Sequence, residues 1–356
     1  MKETICFITS HAGENIEPQD YFRKDGCYGS EYALLETARR LTDTYNVFVT
    51  IEKPKDYFVR THGGINWIAD GDFNRWVQYA RPQHVVVMRF VAPFVKKYFP
   101  TGTKIYYWLH DLIPLFHDPQ LHLPDFFTNL MNRFVDRYIS VGQQVIDGHY
   151  GPKWRMDRNK FTVIKNGITL EKNWDPFSTE RRPLSFVFSS SVGKGLWKVL
   201  EYWPRIVEKF SSATLDIYYG YPSGDVARLE GMIKDMPSVK YHGKVVQSEL
   251  FQHYKTIDYW FFPCQEEETC STTTFETAYY GPIQLTNKKG PLVDNVSGFK
   301  FDDGPGFLGM VLETIESLEG NRFIKKSVRK RQFDFACKQT WNSRAEQWKD
   351  LFKNGQ

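Results

Sequence analysis

Tyr259-Trp-Phe-Phe-Pro263, continued by Gln265-Glu-Glu-Glu-Thr-Cys-Ser-Thr-Thr-Thr-Phe-Glu-Thr-Ala-Tyr-Tyr-Gly281, is the stretch on which the reading of this chain turns. The apolar run reads as the end of a buried strand, and the residues after it carry helical periodicity. Thr272, Thr273 and Thr274 suit a helix start, where the N–H groups of the first turn form a natural anion or hydroxyl site. Glu268 and Glu276 bracket that start with seven residues between them. One falls on the loop and one in the helix, so both can face one cleft without sharing a helical face. Taken alone, the pattern fits an acidic loop before an ordinary helix equally well, and the rest of the chain has to decide.

Outward from this stretch the same unit repeats. Upstream, the strand Leu184-Ser-Phe-Val-Phe188 leads through Ser189-Ser-Ser-Val-Gly-Lys-Gly195 into a helix carrying Leu196, Leu200, Trp203 and Val207. Small residues around Lys194 at a strand-to-helix turn suit a diphosphate, which bare N–H groups and one cation can both reach. The spacing is not that of a P-loop. Thr214–Tyr219, Val239–Gly243 and Gly281–Thr286 read as further strands. An earlier series begins with Thr4–Thr9, a polar segment to Gly26, then Gly26-Cys-Tyr-Gly-Ser30 and a helix with Leu34, Leu35, Ala38 and Leu41 on one face. Ser30 is its expected N-cap, and Gly29 lets a ligand approach the backbone. Strands follow at Asn46–Ile51, His84–Arg89, Lys104–Leu109, Arg137–Val141 and Lys160–Ile164, with helices near 73–79 and 92–98. His110 and Asp111 follow a strand end, where ligands bind in open parallel sheets.

The expected class is therefore α/β with two Rossmann-like domains. The boundaries are an N-terminal domain over 1–168, a linker over 169–183 where Asp175-Pro176 and Arg181-Arg182-Pro183 turn the composition polar, and a C-terminal domain over 184–332. The remainder, 333–356, reads as one amphipathic helix with Trp341, Ala345 and Trp348 on a stripe, able to pack back on the N-terminal domain.

Composition bounds the function. A chain of 356 residues suggests two cores, and 41% hydrophobic with 25% charged residues is ordinary for a soluble protein. The formal charge of +4 gives no nucleic-acid footprint. The basic run Lys325–Arg331 reads as a solvated helix face, with an anionic membrane or acidic partner as the other reading. Five scattered cysteines without a paired framework point to a reducing, cytoplasmic setting. No run of eighteen apolar residues occurs and the start does not read as a signal peptide, which leaves at most peripheral membrane contact. Asp70-Gly-Asp72 is explained by a turn, and His117 and His122 lack ligand partners, so no metal site is expected. A dinucleotide fingerprint is absent, since Gly26-x-x-Gly29 does not supply it.

In this order, Gly29-Ser30, His110-Asp111, Val163-Ile-Lys-Asn-Gly-Ile168, Lys194 and the Glu268 to Glu276 motif with Ala278, Gly281 and Pro282 resemble a GT-B glycosyltransferase, and more narrowly glycosyltransferase family 4. The resemblance implies two domains facing a central cleft and retaining transfer of a sugar from a UDP- or GDP-sugar to a glycan or lipid-linked hydroxyl, without a tightly bound cofactor. It implies Glu276 on the donor ribose, Glu268 with the Cys270, Ser271 and Thr272 amides beside the sugar or diphosphate, and Lys194 on the phosphates with Ser189, Ser190 and Gly193. It further implies Gly243 near the base and, from the N-terminal side, His110 as a catalytic residue near the reacting sugar and Gly29, Ser30 and Asp111 on the donor, the Gly29 loop facing the diphosphate.

Three positions depart from the family pattern. Ser189 stands where an Arg is usual, so that cation is missing or comes from Lys165, Lys288 or Lys289. Thr269-Cys270-Ser271 replaces Gly-Phe-Gly, and Tyr28 replaces a Gly. A nucleotide-sugar epimerase and a silent sugar-nucleotide-binding protein remain the alternative readings.

Overall fold

Apolar runs become strands here because helices cover both faces of each sheet, as parallel pairing requires. The computed structural model describes residues 2–8, 29–51, 59–69, 73–88, 99–114, 124–289 and 292–354. The strands are β1 (Thr4–Ile8), β2 (Asn46–Ile51), β3 (Val59–His62), β4 (Ile65–Ala69), β5 (His84–Met88), β6 (Lys104–Leu109), β7 (Arg137–Ser140), β8 (Phe161–Val163), β9 (Ser185–Phe188), β10 (Thr214–Tyr218), β11 (Val239–Gly243), β12 (Tyr259–Phe262), β13 (Ile283–Asn287) and β14 (Phe299–Phe301). The helices are α1 (Gly29–Leu41), α2 (Phe73–Ala80), α3 (Pro124–Phe134), α4 (Gln143–Val145), α5 (Leu196–Lys209), α6 (Ser223–Ile233), α7 (Gln247–Thr256), α8 (Thr272–Tyr280), α9 (Leu292–Asn295), α10 (Phe307–Gly320), α11 (Arg322–Ala336) and α12 (Trp341–Asn354).

The chain forms two units, Met1–Gly167 with Trp341–Gln356 and Ile168–Thr340. In the first, the sheet order is β3-β4-β2-β1-β5-β6-β7-β8, parallel except for the β3–β4 hairpin. That hairpin turns on Gly63 and Gly64, both at positive φ, as a two-residue primed turn demands. α1 begins at Gly29, so Ser30 lies inside the first turn and is not the N-cap; its hydroxyl donates to Glu31 Oε2 at 2.9 Å. The expected helix at 92–98, the loop 26–28, Asp70-Gly-Asp72, His117 and His122 lie outside the described residues.

The C-terminal stretch is not one helix from 333 onward. α11 stops at Ala336, the Gln339 carbonyl takes the Ile168 N–H at 2.8 Å, and Thr340 bridges Ile168, which removes helical hydrogen bonding at those positions. α12 restarts at Trp341 and packs on the first unit's sheet. Its Trp348 meets Trp108 with ring centroids 5.1 Å apart, and its Phe352 meets His84 at 4.7 Å. Trp341, Ala345, Trp348 and Phe352 are all buried.

The second sheet is wholly parallel, in the order β11-β10-β9-β12-β13-β14. Chain order reverses between β9 and β12, and beyond their carboxyl ends a doubly wound sheet opens its crevice. Arg181 fastens the segment before β9 from a buried position. It donates to the carbonyls of Tyr254 (2.9 Å), Ile257 (2.6 Å) and Tyr280 (2.6 Å), and burial lowers its guanidinium to about 9.

Candidate active site

The switch point of the second sheet is built by two strand ends that hold each other. After β9 the chain passes through a short 3-10 turn, Val192–Lys194, and reaches Gly195 at φ +124°, a conformation that favours glycine. A Cβ at Gly195 would also press into the Pro263 carbonyl just past β12. The two loops therefore touch backbone to backbone. β12 is in turn pinned to β13: Cys264 N–H donates to Asn287 Oδ1 at 2.9 Å, and Asn287 Nδ2 returns a bond to the Cys264 carbonyl at 2.8 Å. This reciprocal pair sets where the acidic loop begins.

Lys194 is thereby aimed into the acidic loop. Its ammonium stands 3.5 Å from Glu266 and 3.6 Å from Glu268, and donates to the Glu267 carbonyl at 3.3 Å. Burial raises the Glu268 carboxyl above the usual range; Lys194 opposes that rise and Glu266 adds to it. The Glu266 carboxylate lies over Gly193, where a Cβ would collide with it. Of the other cations suggested by sequence, Lys288 is paired with Asp302 at 2.9 Å, while Lys289 acts together with Lys194 to lower the Cys264 thiol, which burial drives up to about 12.

Glu276 sits on α8, buried, with Gln247 Nε2 of α7 donating to its Oε1 at 3.1 Å. Burial pushes its carboxyl up to about 7, the Gln247 bond pulling the other way. At the start of α8, Ser271 is the N-cap residue and makes no side-chain cap bond. Thr274 and Thr277 turn their hydroxyls back onto the carbonyls of Ser271 (2.6 Å) and Thr273 (2.8 Å), so these threonines do not cap the helix. Thr272 opens the helix and Cys270 is buried just before it. Gly281 closes it at φ +101°, its N–H on the Thr277 carbonyl at 2.9 Å, and Pro282 follows.

Ser189 and Ser190 are both used by the scaffold. The Ser189 hydroxyl pairs with the Tyr254 hydroxyl at 2.6 Å, and the Ser190 carbonyl accepts from Tyr221 at 3.0 Å. Tyr221 stacks on Tyr241 with centroids 5.5 Å apart, which carries the chain to Gly243 at the end of β11. Gly243, at φ +72°, borders open space.

Ser189, Ser190, Gly193, Lys194, Glu268, Cys270, Ser271, Thr272 and Glu276 all follow the carboxyl ends of β9 and β12, and Gly243 closes β11 of the same sheet. The remaining expected residues belong to the other unit. Gly29 and Ser30 form the first turn of α1, and His110 and Asp111 follow β6, where the His110 ring lies 4.6 Å from that of Trp108 and the Asp111 carbonyl accepts from Tyr150. Gln247, Tyr254, Tyr221 and Asn287 were missed by sequence reasoning. Only Gln247 and Tyr254 carried a signal, a seven-residue spacing that puts them on one helical face.

The architecture has solved counterparts. Sucrose-phosphate synthase from Thermosynechococcus elongatus superposes with a TM-score of 0.72 at 12% identity, over 99% of each chain. A glycosyltransferase from Rickettsia africae gives 0.75 at 13% identity, over 99% of this chain and 98% of that one. This is the GT-B fold. Anabaena HepE, in complex with UDP and glucose, gives 0.67 at 15% identity over 99% of this chain and 100% of its own. No family model matches the sequence, and neither does any curated protein. Among the described residues no helix is long and apolar enough to cross a membrane, and no three His, Cys, Asp or Glu side chains group as metal ligands.

Proposed function

We propose that this chain is a glycosyltransferase that moves a sugar from a UDP- or GDP-sugar to a hydroxyl of a glycan or lipid-linked acceptor. The observation that carries the reading is the Lys194–Glu268 pair at the switch point of the second sheet, with Glu276 buried on the helix that follows, within a GT-B fold. HepE, bound to UDP and glucose, makes uridine donors the first class to test.

In this reading Glu276 accepts the ribose hydroxyls, a role suited to a pure acceptor. Lys194 and the N–H groups of Gly193 and the α8 start meet the diphosphate, which gathers charge as the glycosidic bond breaks. Charge stabilisation that grows toward the transition state lowers the barrier more than it tightens donor binding. Glu268, Cys270, Ser271 and Thr272 border the sugar, Ser189 and Ser190 line the phosphate turn, and Gly243 leaves room for the base. His110 as a catalytic residue near the reacting sugar, and Gly29, Ser30 and Asp111 as donor-binding residues, rest on the family resemblance alone. Retention of configuration, with the leaving phosphate taking the acceptor proton, rests on that resemblance too. Lys194 with helix N-termini supplies the charge that a divalent cation supplies elsewhere, and a cytoplasmic location follows from the cysteine usage.

The test is a panel of UDP- and GDP-sugars with nucleoside diphosphate release as the readout, with and without simple sugar acceptors. Release with one base class and a product of retained anomeric configuration is expected. Nucleotide binding without release from any donor would leave a silent sugar-nucleotide-binding protein, the alternative motivated by Ser189 standing where the family has an Arg.

A further inference from the structure

Helix α11 carries two kinds of cation. Lys325 and Arg329 turn inward: Lys325 meets Asp258 at 2.6 Å and Glu319, and Arg329 pairs with Asp258. The other cations face outward. Lys326, Lys330, Arg331 and Lys338 line a groove of about 790 Å³ together with Phe177 and Phe323. Asp334 is the carboxylate among the lining residues, and Lys330 holds it at 2.6 Å, so the groove keeps a net positive charge. Lys326 lies over the Phe177 ring, 5.1 Å from its centroid.

The groove is separate from the candidate active site. Asp258, which anchors α11, precedes β12, whereas Lys194 and Glu268 lie beyond the carboxyl ends of β9 and β12. None of the groove's lining residues belongs to that site, and at its far end Phe335 meets Phe275 of α8 with ring centroids 6.2 Å apart.

Apolar exposure accompanies the charge. Phe323 is 82% exposed on the first turn of α11, on the side that Val328, Gln332 and Ala336 do not bury. Solvated basic helices have no need of an exposed phenylalanine; surfaces that lie in a bilayer interface place apolar residues among Lys and Arg in this manner. We propose that this face of α11, with Lys338 just beyond its end, docks on an anionic phospholipid surface, with Phe323 entering the interface and Lys326, Lys330, Arg331 and Lys338 meeting lipid phosphates. Each cation held near an anionic leaflet multiplies partitioning by about fivefold. Four together suffice for reversible attachment without a spanning segment. The proposal is independent of the transferase reading, and its test needs no donor.

The full chain is floated with vesicles of phosphatidylcholine alone and of phosphatidylcholine mixed with phosphatidylglycerol. Flotation with the mixed vesicles only, reversed by salt, is expected. Lys330→Glu with Arg331→Glu should reduce it at least about twentyfold, and Phe323→Ser should weaken it even at low salt, with thermal unfolding unchanged in both. Absence of lipid-dependent flotation overturns the proposal, as does flotation that the charge reversals leave intact. Retention on soluble polyglutamate that Phe323→Ser leaves unchanged, with no vesicle binding, overturns it in favour of an acidic protein partner.

Discussion

Lys194 and Glu266 form an ion pair 3.5 Å long in which the carboxylate covers the bare backbone of Gly193. In the proposed transferase, Glu266 holds the position a donor phosphate would take, with one cation ahead of it and the Gly193 backbone beneath. Its side chain is 60% exposed, so displacing it costs little, whereas Glu268 at 14% is fixed in place. Exposed pairs of this kind contribute about 0–1 kcal/mol. Glu266→Ala is therefore expected to tighten nucleoside diphosphate binding by up to about fivefold, read by titration calorimetry. Weaker binding would show that Glu266 serves the ligand directly.

Lys194→Ala acts on the same site from the other side. Removing a cation aimed at developing charge is expected to cost about 2–4 kcal/mol in kcat, with a smaller loss in donor affinity. A loss confined to KM would place Lys194 in ground-state binding only. The variant also leaves Glu266 and Glu268 without their shared ammonium, so Lys194→Ala combined with Glu266→Gln should recover donor binding but not turnover.

The Glu276 carboxyl, raised to about 7 by burial, gives the fold a pH dependence whose sign is fixed. The folded chain holds this proton more tightly than the unfolded one. That contribution to stability is fully present below the ordinary carboxylate range and declines as pH rises toward 7. Ribose hydroxyls need the ionised form as their acceptor, so nucleotide affinity should rise with pH through about 7 and binding should release a proton there. Calorimetry in buffers of different ionisation enthalpy reads that proton directly. Glu276→Gln should bind nucleotide more weakly and flatten the profile, and an unchanged profile would remove Glu276 from the ribose contact.

The sheets were legible because buried parallel strands read as continuous apolar runs. β9 and β12 are four-residue segments with every position buried, and both stand out in the sequence. Edges were harder. The β3–β4 hairpin is short and carries polar residues, and no strand is expected there from the sequence. β14, three residues long and half-buried, gave no run to read. At the site, the seven-residue spacing of Glu268 and Glu276 and the glycines around Lys194 were local patterns. The partners that orient these residues were not. Tyr254 reaches Ser189 across 65 positions and Asn287 reaches Cys264 across 23, pairings that exist only once the strand order is set. The break between α11 and α12 was hidden for a similar reason: it depends on Ile168, which lies 172 positions before Thr340.

Gly195 ties the fold to the chemistry, and its substitution separates the two. A side chain at φ +124° is strained whatever the space around it, and here the Cβ also meets the Pro263 carbonyl. Backbone strain of this class costs roughly 1–3 kcal/mol. Relief would require the β9 and β12 loops to part, which carries Lys194 away from Glu268. Gly195→Ala is therefore expected to lower the urea midpoint of the chain. It should also lower kcat by more than the destabilisation accounts for, because misplacement of a charge-stabilising group by an ångström costs about a hundredfold. Under conditions where the variant remains fully folded, wild-type kcat would show that the contact between Gly195 and Pro263 does not set the position of Lys194.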